Sequence, residues 1–226
     1  MRRVVEQMRL LKEAFLSIRP MRKIRKIDSL DELVKFCATR AAFISQKTLF
    51  GYVKTRMGTR YPEMFRDPAI IHSVNIAKMH HFAACLSDLT VFLAAHALDD
   101  DGFDDEARRR LATYMFEHGI AGNLETSVDE FDPDAAREAF RQRLSFLDWS
   151  GSFDIRDVFT QSPQSIIRWA PIAEELKAFD KEIVENSVRF AWIDVRKQFE
   201  KHFVADAARA DIHTAALAGE TAPSRP

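Results

Sequence analysis

Three times along this chain a residue able to cap a helix stands directly before a proline: Asp67-Pro68, Asp132-Pro133 and Ser162-Pro163. The capping side chain accepts backbone N–H groups that a first turn leaves unpaired, and the fixed φ of proline suits the first helical position. Each pair predicts a helix start, and apolar residues then recur at spacings of three and four, not two. Ser29-Leu30-Asp31-Glu32 adds a start with the spacing of a capping box, in which the Ser hydroxyl and the Glu carboxylate satisfy each other's backbone N–H groups. Gly58, Gly102 and Gly119 follow long periodic runs and predict stops.

The expected helices cover residues 3–18, 30–57, 68–98, 104–118, 133–147, 163–169 and 172–210. No segment alternates with period two for long enough to require a strand. The fold expected is all-α, a single bundle of about six to seven helices, and 226 residues at 46% hydrophobic supply a large core. The helix from Pro68 is apolar on nearly every side, which makes it the buried central helix. Its stretch from Met79 to Leu98 is long enough to span a bilayer, but Asp88 sits at the middle. A central Asp costs about 2.5 to 3.5 kcal/mol on insertion scales, and His80, His81 and His96 add polarity, so a core helix is expected and no transmembrane span. In the last helix two stripes, Ile172, Leu176, Phe179 and Ile183, then Val188, Trp192, Val195, Phe199 and Phe203, both predict core contacts. The organisation expected is a basic amphipathic segment at 1–27, an all-α domain at 28–213 and a disordered tail at 214–226, poor in large apolar residues.

Charge is sorted along the chain. Residues 1–66 carry 16 Lys and Arg against 6 Asp and Glu, and the remainder 17 against 28, behind a net charge of −1. Such an asymmetry makes the first third a candidate surface for phosphate-rich partners. In the first helix Val4, Met8, Leu11, Phe15 and Ile18 share a face, and a polybasic run follows. The segment thus contributes Arg2, Arg3, Arg9, Lys12, Arg19, Arg22, Lys23, Arg25 and Lys26, opposed only by Glu6 and Glu13. That composition suits a helix lying in an anionic membrane interface. Between Ser29 and Gly58, Phe36, Phe43 and Phe50 recur every seven residues, with Arg40, Lys47 and Lys54 four residues after each, and Arg56 and Arg60 extend the basic stripe. These cations complete the candidate membrane or phosphate surface, although the aromatics they border can equally dock on the central helix.

Residues 42–53, AFISQKTLFGYV, resemble the turn and recognition helix of TetR-type DNA-binding regulators, with Phe43 and Ile44 where the turn usually has Gly and a small apolar residue. The resemblance implies that Gln46, Lys47 and Thr48 face bases or phosphates. Asp100, Asp101 and Asp104 spell DDxxD and resemble the motif with which all-α prenyl-diphosphate enzymes hold Mg²⁺. Gly102 interrupts it, and an acidic loop capping the next helix accounts for the same residues. His81, Cys85 and Asp88 fall on one face of the central helix, a mixed hard and soft set that suits a satisfied polar core better than a metal. No nucleotide-loop, zincin or hydrolase motif occurs. Cys37 and Cys85 have apolar neighbours and no CxxC spacing, which suits buried thiols in a reducing compartment, and no secretory h-region is present. The reading is a non-enzymatic cytoplasmic adaptor or assembly factor, peripheral to the inner membrane through its basic third, with its acidic remainder facing a protein partner. It is expected to need neither a cofactor nor a metal. A TetR-like regulator binding nucleic acid is the alternative, and a Mg²⁺-dependent enzyme on diphosphate substrates the third.

Overall fold

The computed structural model describes residues 25–99, 102–124 and 128–217. The expected helix at 3–18 and residues 218–226 of the expected tail lie outside the described residues. The helices are α1 (Leu30–Met57), α2 (Tyr61–Met64), α3 (Pro68–Ala97), α4 (Asp105–Ala121), α5 (Pro133–Ser145), α6 (Ile155–Val158), α7 (Gln161–Trp169), α8 (Glu174–His202) and α9 (Ala205–Leu217), with a 3-10 turn over Gly58–Arg60. Among the described residues the extended structure is a single bridge between Ile27 and Phe203. The fold is the expected all-α bundle.

Local signals place most of these boundaries. Asp67 accepts from the N–H of Ala69, and Asp132 from those of Asp134 and Ala135, each ahead of a proline at the first helical position. Ser29 accepts from Glu32 N–H at 3.3 Å, but the Glu32 carboxylate turns to Lys35 rather than back to Ser29, and Asp211 of α9 takes the N–H of Leu30. Gly58 ends α1 at a φ of 56°, where a Cβ would be strained.

Tertiary contacts override local signals at three places. Ser162-Pro163 lies inside α7, which begins at Gln161, because Asp88 from α3 caps that helix in place of the local serine. Gly119 is not a stop: it lies within α4, where a Cβ would come 2.5 Å from the buried Leu86, so its bare backbone lets α4 close on α3. The expected helix at 172–210 breaks after His202. There Ile27 donates its N–H to His202 O and accepts from Val204 N–H at 3.0 Å, pulling the chain out of helix before α9. The start of the expected tail is helical, since α9 continues to Leu217 and Thr214 donates to Ala210 O.

Helix α3 is the centre, flanked by α1, α4 and α7 and touched by α6 and α9. Leu86, Leu89, Val91 and Leu93 are fully buried on it, as an all-round apolar helix requires. Phe159 packs 4.6 Å from Trp192 and 5.5 Å from Phe92, which ties α8 to the centre, and Phe36 stands 6.2 Å from Phe199.

Candidate functional site

The cations proposed for a phosphate or membrane surface do not gather into one described patch. Arg2, Arg3, Arg9, Lys12, Arg19, Arg22 and Lys23 lie outside the described residues. Arg25 and Lys26 are exposed immediately before the buried Ile27. Arg40 is buried, with its guanidinium 5.5 Å from the Phe36 ring centroid, and burial lowers its pKa. Lys47 lies over Phe43 at 5.9 Å and Lys54 over Tyr61 at 4.8 Å. Arg56 forms a two-pronged pair with Asp180, whose carboxylate also accepts from Tyr52 Oη at 2.9 Å. Arg60 is exposed in the 3-10 turn. Phe36 and Phe50 are buried and Phe43 is half-buried, so the aromatic seam of α1 is core, with the basic stems along its rim.

The segment that resembles a TetR reader lies within the unbroken 28 residues of α1. It contains no turn, and the Thr48 hydroxyl is held by Ile44 O and His81. A helix-turn-helix needs two helices at this point, and the sequence supplies one.

The polar residues of α3 are consumed by the fold. Asp88 is fully buried and accepts from Arg143 at 2.9 Å, from the N–H groups of Gln161 and Ser162, and from the Ser162 hydroxyl at 2.7 Å. Ser162 Oγ in turn accepts from the indole N–H of Trp192 at 3.0 Å. Burial pushes the Asp88 carboxyl up, and Arg143 with the Ser162 and Gln161 donors opposes the rise. Asp88 is thus the N-cap of α7 supplied from another helix. The Cys85 thiol is pushed up by burial and then by Asp88, which leaves it without thiolate character at neutral pH.

In the acidic loop, Asp104 caps α4 by accepting from Ala107 N–H at 2.7 Å, while Asp100 and Asp101 lie outside the described residues. Arg108 donates to Leu98 O, and Arg209 to Ala97 O and Asp99 O, so cations close the negative end of α3. Among the described residues no three His, Cys, Asp or Glu side chains come together in a metal-holding arrangement. Replacing Asp104 with alanine is expected to lower stability by about 1 kcal/mol through the lost cap. Thermal unfolding with and without Mg²⁺ checks this: the loss is expected to be the same in both.

The outstanding surface feature lies on α8, and here the sequence reading is corrected. Leu176, Phe179 and Ile183, expected in the core, face solvent together with Phe190. Phe179, Ile183 and Phe190 are 87%, 76% and 69% exposed, while Val184, Val188, Trp192, Val195 and Phe199 bury the opposite side of the helix. The adjacent pair Ile183 and Val184 carries the signal that was missed. Neighbouring residues stand about 100° apart on a helix, so two apolar stripes running through adjacent positions cannot share one face. A groove of about 440 Å³ runs on each side of the ridge, one against α1 between Lys47, Gly51 and Thr55, the other between Asp154 and Lys197. Phe190 stands at the crest between them and lines both.

No described helix is long and apolar enough to cross a membrane. Compared with protein-family models, with curated proteins and with solved structures, the chain finds no match.

Proposed function

We propose that this protein is a non-enzymatic helical adaptor that works through two surfaces: the exposed apolar ridge of α8, which takes a helical protein partner, and the basic residues 1–27, which hold the chain against an anionic membrane on its cytoplasmic face. The observation that carries the reading is the row of Phe179, Ile183 and Phe190 standing in solvent on a helix whose opposite side is buried in the core. Rows of large apolar side chains rimmed by polar groups mark interaction sites. Glu175, Glu182 and Asp194 are exposed along the same ridge together with Lys197 and the partly exposed Arg189 and Arg196, and a rim of both signs suits a protein surface better than a uniformly anionic lipid one. The membrane arm rests on nine Lys and Arg against two Glu in residues 1–27.

Vesicle sedimentation tests the division of labour. The chain is expected to bind anionic and not neutral vesicles, and Arg25→Gln with Lys26→Gln to weaken binding about thirtyfold, since each cation near the surface contributes on the order of 1 kcal/mol. Phe179→Ser with Phe190→Ser is expected to leave vesicle binding unchanged. If the serine variant loses it instead, α8 is the membrane surface and the assignment of the two surfaces is wrong.

A further inference from the structure

We propose that the occupant of the α8 ridge is a second copy of this chain, whose own α8 lies antiparallel along it to form a symmetric dimer. The proposal deepens the reading of α8 as a protein-binding face and rests on it. The exposed ridge is more regular than a patch. Leu176, Ile183, Phe190 and Lys197 recur every seven residues, and Phe179, Asn186 and Ile193 recur with the same period, offset by three or four. These are the a and d positions of a heptad seam, the pattern by which one helix packs knobs into holes on another. Within the described chain no helix covers Phe179, Ile183 or Phe190.

One antiparallel register matches the seam to itself. In it a positions meet d positions across the two-fold axis, so Phe190 meets the second copy's Phe179, Leu176 meets its Ile193, and Ile183 meets its Asn186. Every large exposed residue of the seam gains an apolar partner, apart from Ile183 on the Asn. A polar residue near the middle of such a seam is a known device for fixing register.

The flanking charges select the same register independently. The positions just before each a residue are Glu175, Glu182, Arg189 and Arg196, two acids followed by two bases. Antiparallel pairing places these positions opposite one another, Glu175 against the second copy's Arg196 and Glu182 against its Arg189, so that all four sites in the dimer are complementary. A parallel pair would set Arg189 against Asp194, which is complementary, but Arg196 against Lys201, which is repulsive, and Glu175 against an Asp180 already held by Arg56, so it offers fewer complementary contacts. Arg189 already donates to Asn186 and Glu185, and Arg196 to Glu200 and Asp154, yet both side chains remain partly exposed. A guanidinium has five N–H donors and can hold these partners while reaching another. On the α1 side the groove is open at Gly51, beside which a Cβ would meet nothing within 4 Å, so the second copy's side chains have room to enter.

Sedimentation equilibrium of the full chain at roughly 50 μM, well above a low-micromolar Kd, is the test, with the mass expected at twice 26.0 kDa. Phe179→Ser is expected to give a monomer with an unchanged helical circular dichroism spectrum. Glu182→Arg alone and Arg189→Glu alone are each expected to weaken the dimer about tenfold, because the symmetry repeats the new like-charge contact. The two together restore the complementarity with its signs exchanged and are expected to recover the parent affinity. A monomeric parent, or a double variant no tighter than the singles, overturns the proposal. Vesicle binding is read separately, so a monomer that still binds vesicles removes the second copy as occupant while the membrane arm of the proposed function stands.

Discussion

Replacing Asp88 with alanine is expected to cost about 3 to 5 kcal/mol, the range for removing one partner of a buried ion pair. The carboxylate accepts from a guanidinium, a hydroxyl and two backbone N–H groups that begin α7. Without it Arg143 keeps only Ser87 Oγ and Val158 O, and the first turn of α7 is left with buried donors unpaired. A domain's whole stability is about 5 to 15 kcal/mol, so the variant is expected at the edge of unfolding at room temperature. Ser162→Ala is the comparison. It removes the hydroxyl link to Trp192 but leaves both N–H groups on Asp88, and about 1 kcal/mol is expected. Urea unfolding measures both, and an Asp88→Ala midpoint no lower than that of Ser162→Ala would show that the carboxylate does not organise this junction.

What could be read from the sequence follows the range of the interaction. Asp67 and Asp132 act on their own next turns, so the starts of α3 and α5 were legible in a few residues. The cap of α7 was not, because Asp88 is more than 70 residues from Gln161 and Ser162 and nothing local marks it. What was legible is the cost of Asp88 in an apolar helix, which requires a partner without saying which. The break at Phe203 has the same origin, since Ile27, at the far end of the chain, supplies the pairing that ends α8. On the candidate site the reading failed for a different reason. A spacing of three and four says that residues share a face and not which face is buried, so Leu176, Phe179 and Ile183 read as core as readily as Val188 and Val195. Only the packing of α1 and α7 against one side of α8 decides between the two stripes.

The same logic bears on the basic third. Its charge excess is real, but within α1 Arg56 is neutralised by Asp180 and Arg40 is turned inward against Phe36. The proposed membrane arm therefore rests on the composition of residues 1–27, at one end of the sequence, while the α8 ridge lies near the other.

Acid is expected to unfold the protein through His81 more than through any single exposed carboxylate. The ring is fully buried on α3, and burial lowers its pKa from 6.5 to about 3. Thr48 donates its own proton to Ile44 O at 2.7 Å, so its oxygen accepts from His81 Nε2–H at 2.8 Å, and the imidazole is neutral with its proton on Nε2. Among the described residues Nδ1 has no hydrogen-bond partner, so protonation would bury a cation with an unanswered donor. The unfolded chain takes up this proton near pH 6.5 and the folded one only near pH 3, so stability is complete above 6.5 and falls as pH drops through that window. The slope from this one group is about 1.4 kcal/mol per pH unit, which amounts to about 3 kcal/mol lost by pH 4.5. Glutamine at position 81 has an amide that can still donate to Thr48 but does not titrate. His81→Gln is therefore expected to begin somewhat less stable than the parent at pH 7.5 and to overtake it as the pH falls toward 4.5. Urea midpoints of parent and variant across that range should cross, and parallel curves would show that folding does not lower the His81 pKa.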